Sequence, residues 1–161
     1  MQVITVREDI PGNTPVLVLR EIAGAGRLVP IFIGQAEAGA ISFALDGVVT
    51  PRPMTHDLMC DLIEQLGASL QSVEITAVEQ GTFYAEMVLK VGSVESRVSA
   101  RPSDAVALAV RCDAPVWADE AVVDAAGLLP DDGPEEADEG AAVVEEFRAF
   151  IDNVNPEDFA P

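Results

Sequence analysis

The chain has 161 residues, about half of them apolar (49%), few aromatics (5%) and a formal net charge of -19 at pH 7. That length suits one domain with an appendage and leaves room for a core of Val, Ile, Leu and Ala. Nine Lys and Arg against 28 Asp and Glu exclude a nucleic-acid binder that works through a broad basic surface, two cysteines exclude a disulfide framework, and no apolar run is long enough to span a bilayer.

In chain order, Val3 to Val6, Val16 to Glu21 and Leu28 to Ile33 are β-branched or apolar runs. Pro11-Gly12 and Gly24-Ala25-Gly26 separate them with turn chemistry, which predicts a small antiparallel unit. Leu28 to Ile33 is nearly continuous in apolar residues and reads as a central strand, although Pro30 lacks a ladder donor and pulls it toward an edge or bulge. Gly34 to Gly47 is rich in Ala and predicts a helix that another element approaches closely. Glu37 falls in its first turn, where the helix dipole favours negative charge.

Arg52 to Gly67 contains the single histidine, His56. Pro53 holds Arg52 extended, Thr55 suits an N-cap, and the helix is expected to begin near His56. Leu58, Met59, Leu62, Ile63 and Leu66 recur at helical spacing as a face to bury, opposite Asp57, Asp61 and Glu64. A β meander follows: Val73, Ile75 and Ala77 alternate with polar residues, Gln80-Gly81 turns the chain, Phe83 to Val91 alternate back, and Gly92-Ser93 turns into Val94 to Val98. Arg101-Pro-Ser-Asp104 then opens a second helix in the manner of the first. It is apolar all round from Ala105 to Val110, so it is a core helix. A short strand over Pro115 to Ala118 and a short helix over Asp119 to Ala126 complete the body.

Fourteen acidic residues against one arginine, Arg148, lie from Asp119 onward, so the body itself is only mildly acidic. Residues 129–140 read as an acidic linker. Residues 141–161 carry an amphipathic helix, with Val143, Val144, Phe147, Phe150, Ile151 and Val154 as its apolar stripe. The predicted division is a domain over 1–128, the linker, and this tail; the fold class is α+β, an antiparallel or mixed sheet body with three short core helices. Cys60 and Cys112 read as reduced core cysteines. Nothing resembles a charged leader, so the chain reads as soluble and cytoplasmic, without a membrane partner.

Five motifs carry a family resemblance: Pro30 to Gly34 (PIFIG), Glu37 to Ile41 (EAGAI), Arg52 to Leu58 (RPMTHDL), Thr82 to Ala85 (TFYA) and Ala100 to Ala109 (ARPSDAVALA). Together and in this order they resemble the bifunctional nuclease domain family over about residues 16 to 118. The resemblance implies a small α+β domain, often oligomeric, with DNA and RNA as substrates in some members. An aspartate is expected just before the last motif; Ser99 stands there instead, which would weaken or move a metal site that used it.

A phosphodiesterase must neutralise phosphate, orient a nucleophile and often hold Mg²⁺ or Mn²⁺ through one or two carboxylates. The candidate catalytic residues are Arg52 and Arg101 as phosphate clamps, His56 as proton carrier, and Asp57 and Asp104. The candidate metal ligands are Asp57, Asp104 and Glu37. The same residues also suit a structural role, each Arg pairing with an Asp to fasten two helix starts. Either way, Arg52, His56, Asp57, Arg101 and Asp104 are expected to converge. The alternative to a nuclease is a non-catalytic oligomeric module binding a small anionic ligand or a protein; a third reading is a regulator whose acidic tail engages a basic partner. Homo-oligomerisation is expected, with a dimer favoured.

Overall fold

The computed structural model describes residues 1–9 and 14–130; the linker and tail-helix expectations lie outside the described residues. Three strands, β1 (Gln2–Asp9), β2 (Thr14–Arg20) and β3 (Leu28–Phe32), form an antiparallel sheet in that order. The small antiparallel unit is therefore present, but β3 is an edge strand rather than a central one. Pro30 explains the position: it sits opposite Val18 and has no N–H to give a further neighbour. At its start Leu28 exchanges two backbone hydrogen bonds with Leu128, at 2.7 and 2.8 Å.

Helix α1 (Gln35–Leu45) and helix α2 (Thr55–Gln65) follow. The meander is β4 (Ala68–Glu79), β5 (Thr82–Val91) and β6 (Val94–Ala100), all antiparallel. Gln80 and Gly81 both take positive φ, 50° and 82°, the twist that a two-residue hairpin turn requires. Helix α3 (Pro102–Arg111) leads to β7 (Val116–Ala118), which joins β4 in parallel and gives the second sheet the order β6-β5-β4-β7. Helix α4 (Glu120–Ala126) ends the body. The expected α+β class is met, with two sheets and four helices among the described residues.

Helix α3 is the hub. It packs against α1, α2, β4 and β5, and Ala105, Val106, Ala107 and Leu108 are fully buried. The all-round apolar run in the sequence has this consequence: a helix with no polar face needs neighbours on every side. Leu17, Leu19 and Val29 from the first sheet, Ile41 from α1, and Val73 and Ile75 from β4 close the same core.

Helix α2 departs from expectation. Most of its apolar stripe is exposed, with Leu58 at 49%, Leu62 at 51% and Leu66 at 78%, and of the stripe only Ile63 is half-buried. The face turned toward the body is instead His56, buried, with Cys60 and Ile63 half-buried at the following turns. Spacing shows that a helix has an apolar face and does not show what covers it.

Candidate functional site

The two Arg-Pro helix starts are alike in one respect and offset in another. In both, the aspartate is the third helical residue, Asp57 in α2 and Asp104 in α3. In α3 the N-cap is Arg101 itself, held extended at φ -69° and ψ 141°, with Pro102 as the first helical residue, where a missing N–H costs nothing. In α2 the N-cap is Met54 and Thr55 is already inside the helix. The hydroxyl residues Thr55 and Ser103 are therefore not the caps expected of them.

That offset decides where the arginines go. Arg101, three residues before Asp104, donates from Nε to Asp104 Oδ2 at 2.7 Å. Its Nη2 donates to Glu37 Oε1 at 2.6 Å, joining α3 to the first turn of α1, and the two carboxylates raise the Arg101 pKa. Arg52 lies two residues ahead of the α2 cap, is exposed, and its guanidinium makes no ion pair among the described residues.

Asp57 turns back to accept the Met54 backbone N–H at 2.8 Å. Its other oxygen accepts from Arg111 Nε, at the far end of α3. The Arg111 bond, followed by the Met54 N–H, holds the Asp57 carboxyl below its ordinary 3.8. Arg111 also donates from Nη1 to the Ala107 carbonyl at 2.9 Å and is largely buried. Sequence reasoning missed Arg111; its place in the last turn of a buried helix, where a cation needs a partner, was the available signal.

His56 completes the arrangement. Its Nε2 lies 3.2 Å from Asp104 Oδ1, so Asp104 divides its two oxygens between His56 and Arg101. The result is a string, Glu37–Arg101–Asp104–His56, drawn from α1, α3 and α2. The five residues expected to converge thus separate: His56, Asp104 and Arg101 meet and are joined by Glu37, Asp57 is held apart by Arg111, and Arg52 stands outside.

The string opens into a groove of about 610 Å³ lined also by Met59, Met87, Val98 and Ser99. Its apolar walls and few convergent polar groups suit a ligand with an anionic head. Glu37 is only 16% exposed and Arg101 is 67% exposed, so the carboxylate is a fixed anchor and the guanidinium is the part that meets solvent. Among the described residues no three His, Cys, Asp or Glu side chains gather as a metal-ligand set; the positive charge between Glu37 and Asp104 is that of Arg101. No helix among the described residues is long and apolar enough to cross a membrane.

A sequence profile of the bifunctional nuclease domain matches residues 17–131. The chain is 48% identical over 162 residues to an uncharacterized protein of Mycobacterium tuberculosis, covering 99% of this chain and 96% of that protein. It is 31% identical over 113 residues to Bifunctional nuclease 2 of Arabidopsis thaliana (67% of this chain, 34% of that protein). It is 28% identical over 118 residues to Bifunctional nuclease 1 of Oryza sativa subsp. japonica (71% and 35%). The match therefore spans about a third of the length of the plant proteins.

Proposed function

The chain belongs to the bifunctional nuclease domain family, and on that premise we propose that the groove between α1, α2, α3 and β6 binds and cleaves nucleic-acid phosphodiester bonds in DNA and RNA. The observation that carries the reading is the string Glu37–Arg101–Asp104–His56 at the groove. Arg101 has five N–H donors and commits one each to Asp104 and Glu37. The rest of its planar fork is free to engage phosphate oxygens and to neutralise the charge they gain as the bond breaks. Asp104 accepts from His56 Nε2–H and fixes the ring; Nδ1 is then the nitrogen that takes a proton from the attacking water. Asp57 acts on catalysis through structure, holding the first turn of α2 and hence His56. Arg52, exposed just ahead of Met54, contacts a phosphate farther along a bound strand.

Mg²⁺ or Mn²⁺ would add charge neutralisation at the phosphate, and such ions need only one or two carboxylates beside their waters. Glu37 and Asp104 are the residues that would hold one, in exchange for the contacts each now makes with Arg101. Ser99 at the groove withholds a third carboxylate, so a bound ion is held weakly. Binding rests on this local geometry, because a chain with nine basic residues gains little from counterion release. We take the protein to act in the cytoplasm as a homo-oligomer, with a two-fold dimer favoured and the exposed α2 stripe of Leu58, Leu62 and Leu66 as the contact.

The alternative is a non-catalytic oligomeric module, in which the string only fastens α1, α2 and α3 and the groove takes a small anionic ligand or a protein. One observation favours it: every buried side-chain nitrogen and oxygen among the described residues already has a partner. Incubating the full chain with single-stranded DNA and with RNA, in Mg²⁺, in Mn²⁺ and in chelator, at low and high salt, separates the two. The nuclease reading expects shortened products in the metal-containing reactions. Intact substrates in every condition, from folded protein, leave the module.

A further inference from the structure

The two cysteines, 52 positions apart, bring their sulfurs to 2.9 Å. Cys60 sits on α2 one turn beyond His56, and Cys112 caps the end of α3 directly after Arg111. Both are free thiols and half-buried, reachable by a small oxidant. They are the only cysteines of the chain, so each has one intramolecular partner. The sulfurs need to approach by less than about 1 Å to reach the bonded separation of about 2.05 Å.

We propose that Cys60 and Cys112 are a redox pair that a peroxide converts to a disulfide joining α2 to the end of α3. Cys112, at the end of α3, attacks one peroxide oxygen; the O–O bond breaks, leaving a sulfenic acid on Cys112 and, with the displaced thiol proton, one water. The Cys60 sulfur then attacks the sulfenic sulfur, the S–O bond breaks, and the hydroxide leaves as a second water with the Cys60 proton. Two thiols lose two electrons in total and one hydrogen peroxide gains them. Burial, and then the Cys112 thiol, push the Cys60 thiol up to about 12, and the steps balance equally with the two sulfurs exchanged. The pair does not depend on the catalytic reading, because the contact is between helices and not at the groove's polar string.

The disulfide would add a covalent brace to an interface otherwise spanned by the His56–Asp104 and Asp57–Arg111 contacts. The test uses the full chain, reduced, desalted and treated with hydrogen peroxide, then denatured and alkylated with N-ethylmaleimide. Intact mass is expected to show a monomer lacking two hydrogens, unalkylated, and restored to two alkylated thiols by dithiothreitol. The Tm of the oxidised chain is expected to rise by roughly 10 °C, as a loop of this length predicts. In Cys60→Ser, peroxide is expected to leave a dimedone-reactive sulfenic acid on Cys112 and no rise in Tm. Two thiols still alkylated after excess peroxide, sulfinic acid in the wild-type chain, or disulfide-linked dimers each overturn the pair. A disulfide that leaves Tm unchanged overturns the brace. The wild-type measurements stand whether or not the variant folds.

Discussion

At the scale of single residues, His56 and Asp104 separate catalysis from structure. His56→Ala is expected to lower the cleavage rate by about 10² to 10⁴, the usual contribution of a general base, while Tm changes little. Asp104→Asn is expected to lower Tm by only a few degrees, because Asp104 is 28% exposed and Arg101 67%, and solvent screens such a pair. Rates and melting curves on both variants check this, and a His56→Ala protein that cleaves at the wild-type rate removes the histidine from the mechanism. Asp57 yields a pH prediction. Its folded pKa lies below its ordinary value, so its contribution is complete above 3.8 and is lost as pH falls through the folded value. Asp57→Asn is therefore expected to lower Tm at neutral pH and to flatten the acid limb of the Tm profile below 3.8. Gly34 has a different function: a Cβ there would collide with Glu37 Oε2. Since that atom ends a flexible side chain, Gly34→Ala is expected to fold normally while moving Glu37 off Arg101, and substrate KM is expected to rise. The candidate residues were legible because Arg-Pro, a first-turn Asp and a lone His are local signals. The pairing was not, since Arg111 and Asp57 lie 54 positions apart and a two-residue offset of the cap reassigns both arginines.

At the scale of elements, α3 and α2 behave in opposite ways. Leu108 is fully buried in α3, and Leu108→Ala is expected to cost about 2 to 5 kcal/mol by leaving a cavity in the core, measured by denaturant unfolding. Leu62 on α2 is half exposed; Leu62→Glu is expected to leave unfolding free energy nearly unchanged and, on the proposed dimer reading, to shift light scattering toward the monomer, while a wild-type chain that scatters as a monomer removes that reading. A variant that stays assembled puts the contact on another face. The elements themselves were legible, strands from period-two alternation and helices from caps and spacing. The stripe on α2 was legible as a stripe, but burial belongs to tertiary and quaternary packing, which periodicity does not encode. Likewise the apolar run of β3 pointed to a central strand, and the missing donor of Pro30 prevailed.

At the scale of the whole molecule, the described body runs to Pro130 and its last segment is fastened to its first sheet. Arg27, ahead of β3, pairs with Glu21 at 2.9 Å and with Asp124 of α4 at 2.6 Å, beside the Leu28–Leu128 backbone pair. A chain ending after Leu129 keeps all of these contacts and is expected to unfold in one cooperative transition. Loss of cooperativity or insolubility in that shortened chain means that residues beyond 129 belong to the core.

The Leu28–Leu128 pair also bears on how the chain is made. A ribosome releases β3 long before it releases Leu128, and at about 5 to 20 residues per second the strand waits roughly 5 to 20 seconds for the partner that occupies its edge. During that interval an apolar strand offers open donors and acceptors to any neighbouring chain. Proline at its middle, by withdrawing one donor, acts as a guard on a nascent surface as well as a limit on the finished sheet. Pro30→Val is accordingly expected to raise the fraction of newly synthesised protein lost to aggregates, even where the variant, once folded, melts no earlier than the wild type.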